Sequence, residues 1–257
     1  MKIGMFFLVL LLVCWGNFLK HVKADFPAGM VLIPSGSFTL GASSEDGIEG
    51  IDVGVDQIPR HRISLKSFYI DQNEVTVGEY RQFVQQTRHQ EPCIWTDPGF
   101  SKPPDQETLS DVSYFDAEAY CEWKGKRLPT EEEWEKAARG ADGRRWPWGN
   151  DFYKERTNTL ESGLKKVVPP ETFQGDVSPY GVHDMAGNVM EWTSSWYEPY
   201  PGNTLKRTAF GKKFKILRGG TWSESATPFA RTTHRFPVLP SIAQPDFGIR
   251  CAKDVFP

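Results

Sequence analysis

From residue 30 to residue 40 the run MVLIPSGSFTL alternates apolar and polar positions around Pro34, Ser35 and Gly36, which predicts a β-hairpin. Residues 42–60 are polar and rich in Gly and Asp, as a loop would be. Alternation resumes in HRISLKSFYID, so residues 61–71 read as a strand. Near Glu74 the period lengthens: Val77, Tyr80, Phe83 and Val84 share one helical face, with Thr76 placed to cap it. A proline-rich, irregular stretch fills 91–111. A second helix follows at 113–124, capped by Ser113, with Tyr114, Ala117, Tyr120 and Cys121 at core spacing. A third begins at Thr130, where Thr130 and Glu133 make a capping box behind Pro129. Glu131, Glu132 and Glu133 complement that helix dipole, so these carboxylates read as structural rather than catalytic. Beyond Gly140 the pattern is short, aromatic and broken by turns, with strands predicted at 215–218, 229–235 and 248–252. No repeat or interdomain linker interrupts it, which predicts one α+β domain over 29–255.

Composition sharpens this picture in three ways. Nine tryptophans set among 42 glycines and prolines predict a loop-rich fold rather than helical repeats. A net charge of −3 gives no footprint for nucleic acid. At the N-terminus, Lys2 followed by an apolar run over 5–15 and Val22-Lys23-Ala24 predicts a signal peptide over 1–24, cleaved before Asp25. The rival is an uncleaved anchor reaching Leu19, the one route by which this chain would contact a membrane. Cys14, between Val13 and Trp15, lacks lipoprotein surroundings. Either reading exports the body to the periplasm, the exterior or a secretory lumen. There Cys93, Cys121 and Cys251 predict one disulfide and one leftover thiol.

Six motifs occur in order: FYIDQNEVTVGEYRQFV, VSYFDAEAYCEWKGKRLPTEEEWEKAARG, PWGN, YGVHDMAGNVMEW, RGGTW and FGIRCA. Together they resemble the sulfatase-modifying-factor family, whose founding members are formylglycine-generating enzymes. The resemblance implies a C-type-lectin-like variant of the formylglycine-generating-enzyme fold, low in regular secondary structure. It also implies a Cys121–Cys251 disulfide joining the second helix to the last strand. Cys93 matches nothing in the family; a buried thiol is the favoured reading, with an intermolecular link or a reactive site as alternatives.

Formylglycine-generating enzymes oxidise a substrate cysteine with two copper(I)-binding cysteines that follow the RGGTW position. Here no cysteine lies between Cys121 and Cys251, so the soft ligands that copper(I) requires are missing. Met190 also replaces a family tryptophan. The resemblance places structural calcium at Asp184, the Gly187 and Val189 carbonyls and Glu191, all hard oxygen donors. A second calcium would start at Asn158 and the Thr159 carbonyl, although the Asp-x-Phe segment that completes it in the family is absent. His61, His89, His183 and His234 are scattered without ligand spacing, so iron of the hercynine-oxidising type finds no motif, and His61 reads as a packing residue. Thr221, Trp222, Glu224, Arg231, His234 and Arg235 are the residues expected to line the vacated substrate groove. The resulting expectation is an exported binding or maturation factor for a protein or peptide. The alternative is a non-heme-iron oxidase acting on a peptide-like substrate.

Overall fold

The computed structural model describes residues 27–47, 54–99 and 101–255. The segment expected as a signal peptide or anchor lies outside them. Among the described residues no helix is long and apolar enough to cross a membrane.

Among the described residues nine short strands and five α-helices are arranged as three small sheets with helices packed against them. Strand β1 (Met30–Ile33) and strand β2 (Gly36–Leu40) form where the alternation predicts, but they do not pair as a hairpin. Instead β2 pairs antiparallel with β3 (His61–Leu65), and β1 pairs with β4 (Phe68–Asp71). The single strand expected over 61–71 therefore breaks at Lys66-Ser67 and serves two sheets. Period-2 alternation specifies a face but not a partner, which is why the pattern located these strands and mispaired them. His61 packs as expected, its ring 5.4 Å from that of Tyr200.

The three predicted helices form with their predicted caps. Helix α1 (Val77–Thr87) is capped by Thr76, and the irregular stretch after it holds one short helix, α2 (Cys93–Thr96). Ser113 caps α3 (Tyr114–Trp123) and Thr130 caps α4 (Glu131–Arg139). Each cap side chain accepts an amide three residues on, while the acid there reaches back to the cap amide. The buried faces of α1 and α3 meet in an aromatic core of Tyr80, Phe83, Trp95, Tyr120 and Trp192. Cys93 is exposed at the first residue of α2, contrary to the expected buried thiol. The turn that starts α2 buries Trp95 instead.

A four-stranded sheet forms the second half: β5 (Met190–Trp196), β6 (Lys215–Arg218), β7 (Phe236–Val238) and β8 (Phe247–Gly248), in the order β7-β6-β5-β8. The strand expected at 229–235 is absent. Helix α5 (Ala226–Phe229) ends there, and the backbone that follows serves an arginine rather than a ladder. Arg218 on β6 donates to the carbonyls of Thr232, Thr233 and His234 at 2.9, 3.1 and 2.8 Å. The strand expected at 248–252 divides: β8 pairs parallel with β5, and β9 (Ala252–Asp254) joins β4. Between them Arg250 turns fully into the core. One residue later Cys251 is bonded to Cys121 of α3, as the resemblance implied.

Candidate functional site

The residues after β6 make a tight turn that brings together part of the expected groove. Gly220 starts it at φ +76°, where a β-carbon would stand 2.7 Å from the Ala230 backbone, so only glycine fits. Thr221 and Ser223 share a hydroxyl contact of 2.9 Å, and Ser223 Oγ donates to the Asp246 carboxylate at 3.3 Å. The Glu224 amide donates to Thr221 O at 3.4 Å. Two neighbouring segments clamp the turn. The Trp222 amide donates to Asn188 O at 3.1 Å, and the Glu224 carbonyl accepts the Leu160 amide at 2.9 Å. The Glu161 carboxylate receives Ser225 Oγ at 2.5 Å and the Ala226 amide at 3.0 Å.

The turn sets Glu224 beside Asp246, which comes from the loop before β8. Burial pushes Glu224 up to about 7, and the nearby Asp246 carboxylate adds to the effect. Asp246 is raised by burial too, opposed by bonds from Ser223 and Thr221. Glu224 Oε2 and Trp222 Nε1 are buried and have no hydrogen-bond partner among the described residues. A half-buried carboxyl titrating near neutrality is suited to proton transfer or to holding a cationic group.

Arg231, His234 and Arg235 are held elsewhere. Arg235 is buried in a two-pronged ion pair with Glu131, at 2.8 and 2.9 Å, beneath the rings of Tyr197 and Tyr200. His234 packs against Phe229 and Phe236, and burial beside Arg218 pushes it down to about 4, so it stays neutral. Buried Arg231 donates to the Asp46 carbonyl. Thr221, Trp222 and Glu224 are thus brought together, and the other three expected groove residues belong to the packed interior. Glu131 and Glu133 act structurally, as read: Glu133 grips Arg127 at 2.6 and 2.7 Å.

The expected calcium turn lies directly behind. Gly187 bends it at φ +101°, and a β-carbon there would collide with Asn158 O at 2.5 Å. Both oxygens of Glu191 are engaged: Arg250 approaches them at 2.7 to 3.0 Å and Trp134 Nε1 donates at 2.5 Å. Asp184 Oδ2 accepts the Glu171 amide at 2.7 Å, and burial pushes its carboxyl up to about 6. Glu74 and Asp176 are also buried nearby, and burial raises both well above the usual carboxylate range, helped by the Asp184 charge. Four buried carboxylates thus surround the single guanidinium of Arg250. Among the described residues Glu74 Oε1 and Asp176 Oδ1 have no hydrogen-bond partner.

Oxygen donors with excess negative charge and orphaned lone pairs fit a hard cation such as calcium. Among the described residues no three Asp, Glu, His or Cys side chains converge to hold a metal alone. The Gly187 and Val189 carbonyls would therefore have to complete the site. The second expected set is used differently. Asn158 Oδ1 accepts Ser162 Oγ at 3.1 Å, its carbonyl accepts the Asn188 amide at 2.7 Å, and the Thr159 carbonyl accepts the Ser162 amide at 2.9 Å. The Asn188–Asn158 bond fastens 158–162 to the turn at 184–191.

Sequence reasoning missed Asp246, Ser223, Glu74 and Asp176. Ser223 and Glu224 are adjacent, so Ser223 was within reach of the motif. Asp246 arrives from a separate loop and carries no motif of its own.

Small sheets, capped helices and long ordered loops around a glycine-bent turn define the C-type-lectin-like scaffold of formylglycine-generating enzymes. The chain belongs to the family of the sulfatase-modifying factor enzyme 1-like domain, whose model matches residues 19–255. It is 32% identical to the inactive C-alpha-formylglycine-generating enzyme 2 of Bos taurus, covering 87% of each protein. Identity to the hercynine oxygenase of Mycolicibacterium smegmatis is also 32%, over 88% of this chain and 61% of that one. The solved structure of PvdO from Pseudomonas aeruginosa matches with a TM-score of 0.71 and 27% identity, covering 88% of this chain and 94% of its own.

Proposed function

We propose that this chain is an exported member of its family that does not generate formylglycine and instead binds a segment of another exported protein, holding it or helping it mature. One observation carries the reading: after Gly219-Gly220, where the family's copper chemistry needs thiols, the chain offers Glu224 beside Asp246. Neither carboxylate is in an ion pair among the described residues. Such a pair attracts an ammonium or guanidinium group and has little affinity for copper(I). The Cys121–Cys251 disulfide and the signal-like N-terminus support an oxidising destination. The likeness to hercynine oxygenase favours a second reading, an iron-dependent oxidase of peptide-like substrates. Stoichiometric iron in the purified protein would select it.

The binding reading is tested by calorimetric titration with peptides that differ only in a central lysine, arginine or norleucine. Binding of the basic peptides should strengthen by about tenfold between pH 6 and pH 8, as Glu224 ionises through about 7. Glu224→Gln and Asp246→Asn should weaken it and flatten the profile. The same raised carboxyl makes a signed prediction for stability. Protonation is favoured in the folded state, so stability falls as pH rises from about 4.5 through about 7, and Glu224→Gln removes that fall. Equal binding of lysine and norleucine peptides at every pH would sink the assignment of this turn.

A further inference from the structure

A second acidic cleft opens where β4 hands over to α1. Its walls come from residues 71–76 and 79, from 105–106, from Tyr120 and Lys126 at the end of α3, and from 169–171. It encloses about 540 Å³ and continues past Thr76, Glu79 and Asp105 into a more open trough of about 350 Å³ along α1. None of the lining residues belongs to the Glu224 turn.

Five carboxylates line the cleft: Asp71, Glu74, Glu79, Asp105 and Glu171. Asp71 is paired with Lys126 at 2.5 Å, and Asp105 with Arg81. Glu74 is turned inward, to Asn188 and Thr108. Glu79 accepts the Thr76 amide at 3.0 Å, and Glu171 accepts Asn73 Nδ2 at 2.7 Å. Glu79 and Glu171 are in no ion pair among the described residues, so the cleft keeps negative charge that its own cations do not meet. A cleft lined by one sign of charge concentrates ligands of the other.

Tyr120 points to what such a ligand would meet. Its side chain is 2% exposed and packs against Phe83 and Trp123. Its hydroxyl makes no hydrogen bond among the described residues and faces the cleft, near the carboxylates of Asp71 and Glu79. A phenol buried to this extent ordinarily has a partner. Among the described residues no three acidic, histidine or cysteine side chains converge to hold a metal ion, and these acids are spread along the cleft and trough. That spacing suits separate ammonium groups on one chain. Val75, Pro169 and Pro170 give the intervening methylenes an apolar wall.

We propose that this cleft binds a linear ligand bearing at least two primary ammonium groups. Tyr120 and Glu171 receive one in the enclosed part, and Glu79 and Asp105 receive the next where the trough begins. A free polyamine and a lysine-bearing peptide share this chemistry. The site is independent of the binding reading above.

Calorimetric titration of the whole exported chain at about 0.15 M salt tests it, with spermidine and with a peptide carrying two lysines as probes. At least one should bind, the tighter identifying the source, and acetylating its amines should weaken binding at least about tenfold. Tyr120→Phe removes no internal hydrogen bond, so it should melt with wild type while binding at least about threefold more weakly. Glu171→Gln should weaken binding similarly. The affinity that Tyr120→Phe reduces should survive Glu224→Gln, and also Asp151→Asn at an exposed acid outside the cleft. Silence from both probes overturns the assignment, as does indifference to acetylation or wild-type affinity in Tyr120→Phe. Equal weakening by Asp151→Asn would show diffuse attraction and overturn it too. A loss confined to Glu224→Gln would put the ligand at that turn and equally overturn this site.

Discussion

Glu135→Ala should destabilise the fold by about 3–5 kcal/mol, a large share of the roughly 5–15 kcal/mol typical of a domain. Glu135 projects from α4 and is wholly buried. Its Oε1 accepts the Gly41 amide at 2.7 Å and Arg139 Nη1 at 2.8 Å. Its Oε2 pairs with Arg218. Arg218 is 0% exposed and Arg139 2%, so removing this one carboxylate leaves two guanidinium groups out of water without it. The damage should spread, because Arg218 also organises the carbonyls of 232–234. Glu135→Gln keeps acceptor geometry without charge and should fall between wild type and alanine. Urea unfolding followed by circular dichroism measures the effect. A loss below about 1 kcal/mol for alanine would mean that the pairing does not carry the stability assigned to it.

Cys251→Ser should lower stability by about 2–5 kcal/mol. The bond to Cys121 closes a loop of 130 residues, and the chain-entropy model assigns such a closure about 4–5 kcal/mol. It joins α3, in the aromatic core, to the residue preceding β9, so its loss frees the C-terminal strand from the helix layer. Unfolded, non-reduced protein from residue 25 onward should show one titratable thiol, that of exposed Cys93, and the variant should show two. Finding all three thiols in the wild-type protein would remove both the disulfide and the argument for export.

The helices were legible because their signals are local. Thr76, Ser113 and Thr130 each announce a cap within four residues, and each cap forms. The sheets were not, because pairing is decided at long range. The run over 61–71 alternates continuously, yet a break at Lys66-Ser67 sends its halves to different sheets. Strand β5 escaped notice because its first four residues are all buried, which erases the alternation. The site divides in the same way. Thr221, Trp222 and Glu224 could be found because a motif precedes them. Arg231, His234 and Arg235 look equally available in sequence, but the fold commits them to Asp46, to aromatic packing and to Glu131. Asp246 and Glu74 reach their sites only through tertiary contacts, and no spacing rule could have shown them.

The central claim is that this scaffold persists without the family's copper–thiolate chemistry. Dioxygen consumption by the purified protein, supplied with copper(I), a thiol reductant and a cysteine-containing sulfatase peptide, tests it most directly. The account predicts uptake no greater than that of copper and reductant alone, with the peptide cysteine recovered unchanged. Peptide-dependent dioxygen uptake with an aldehyde formed at that cysteine would contradict it.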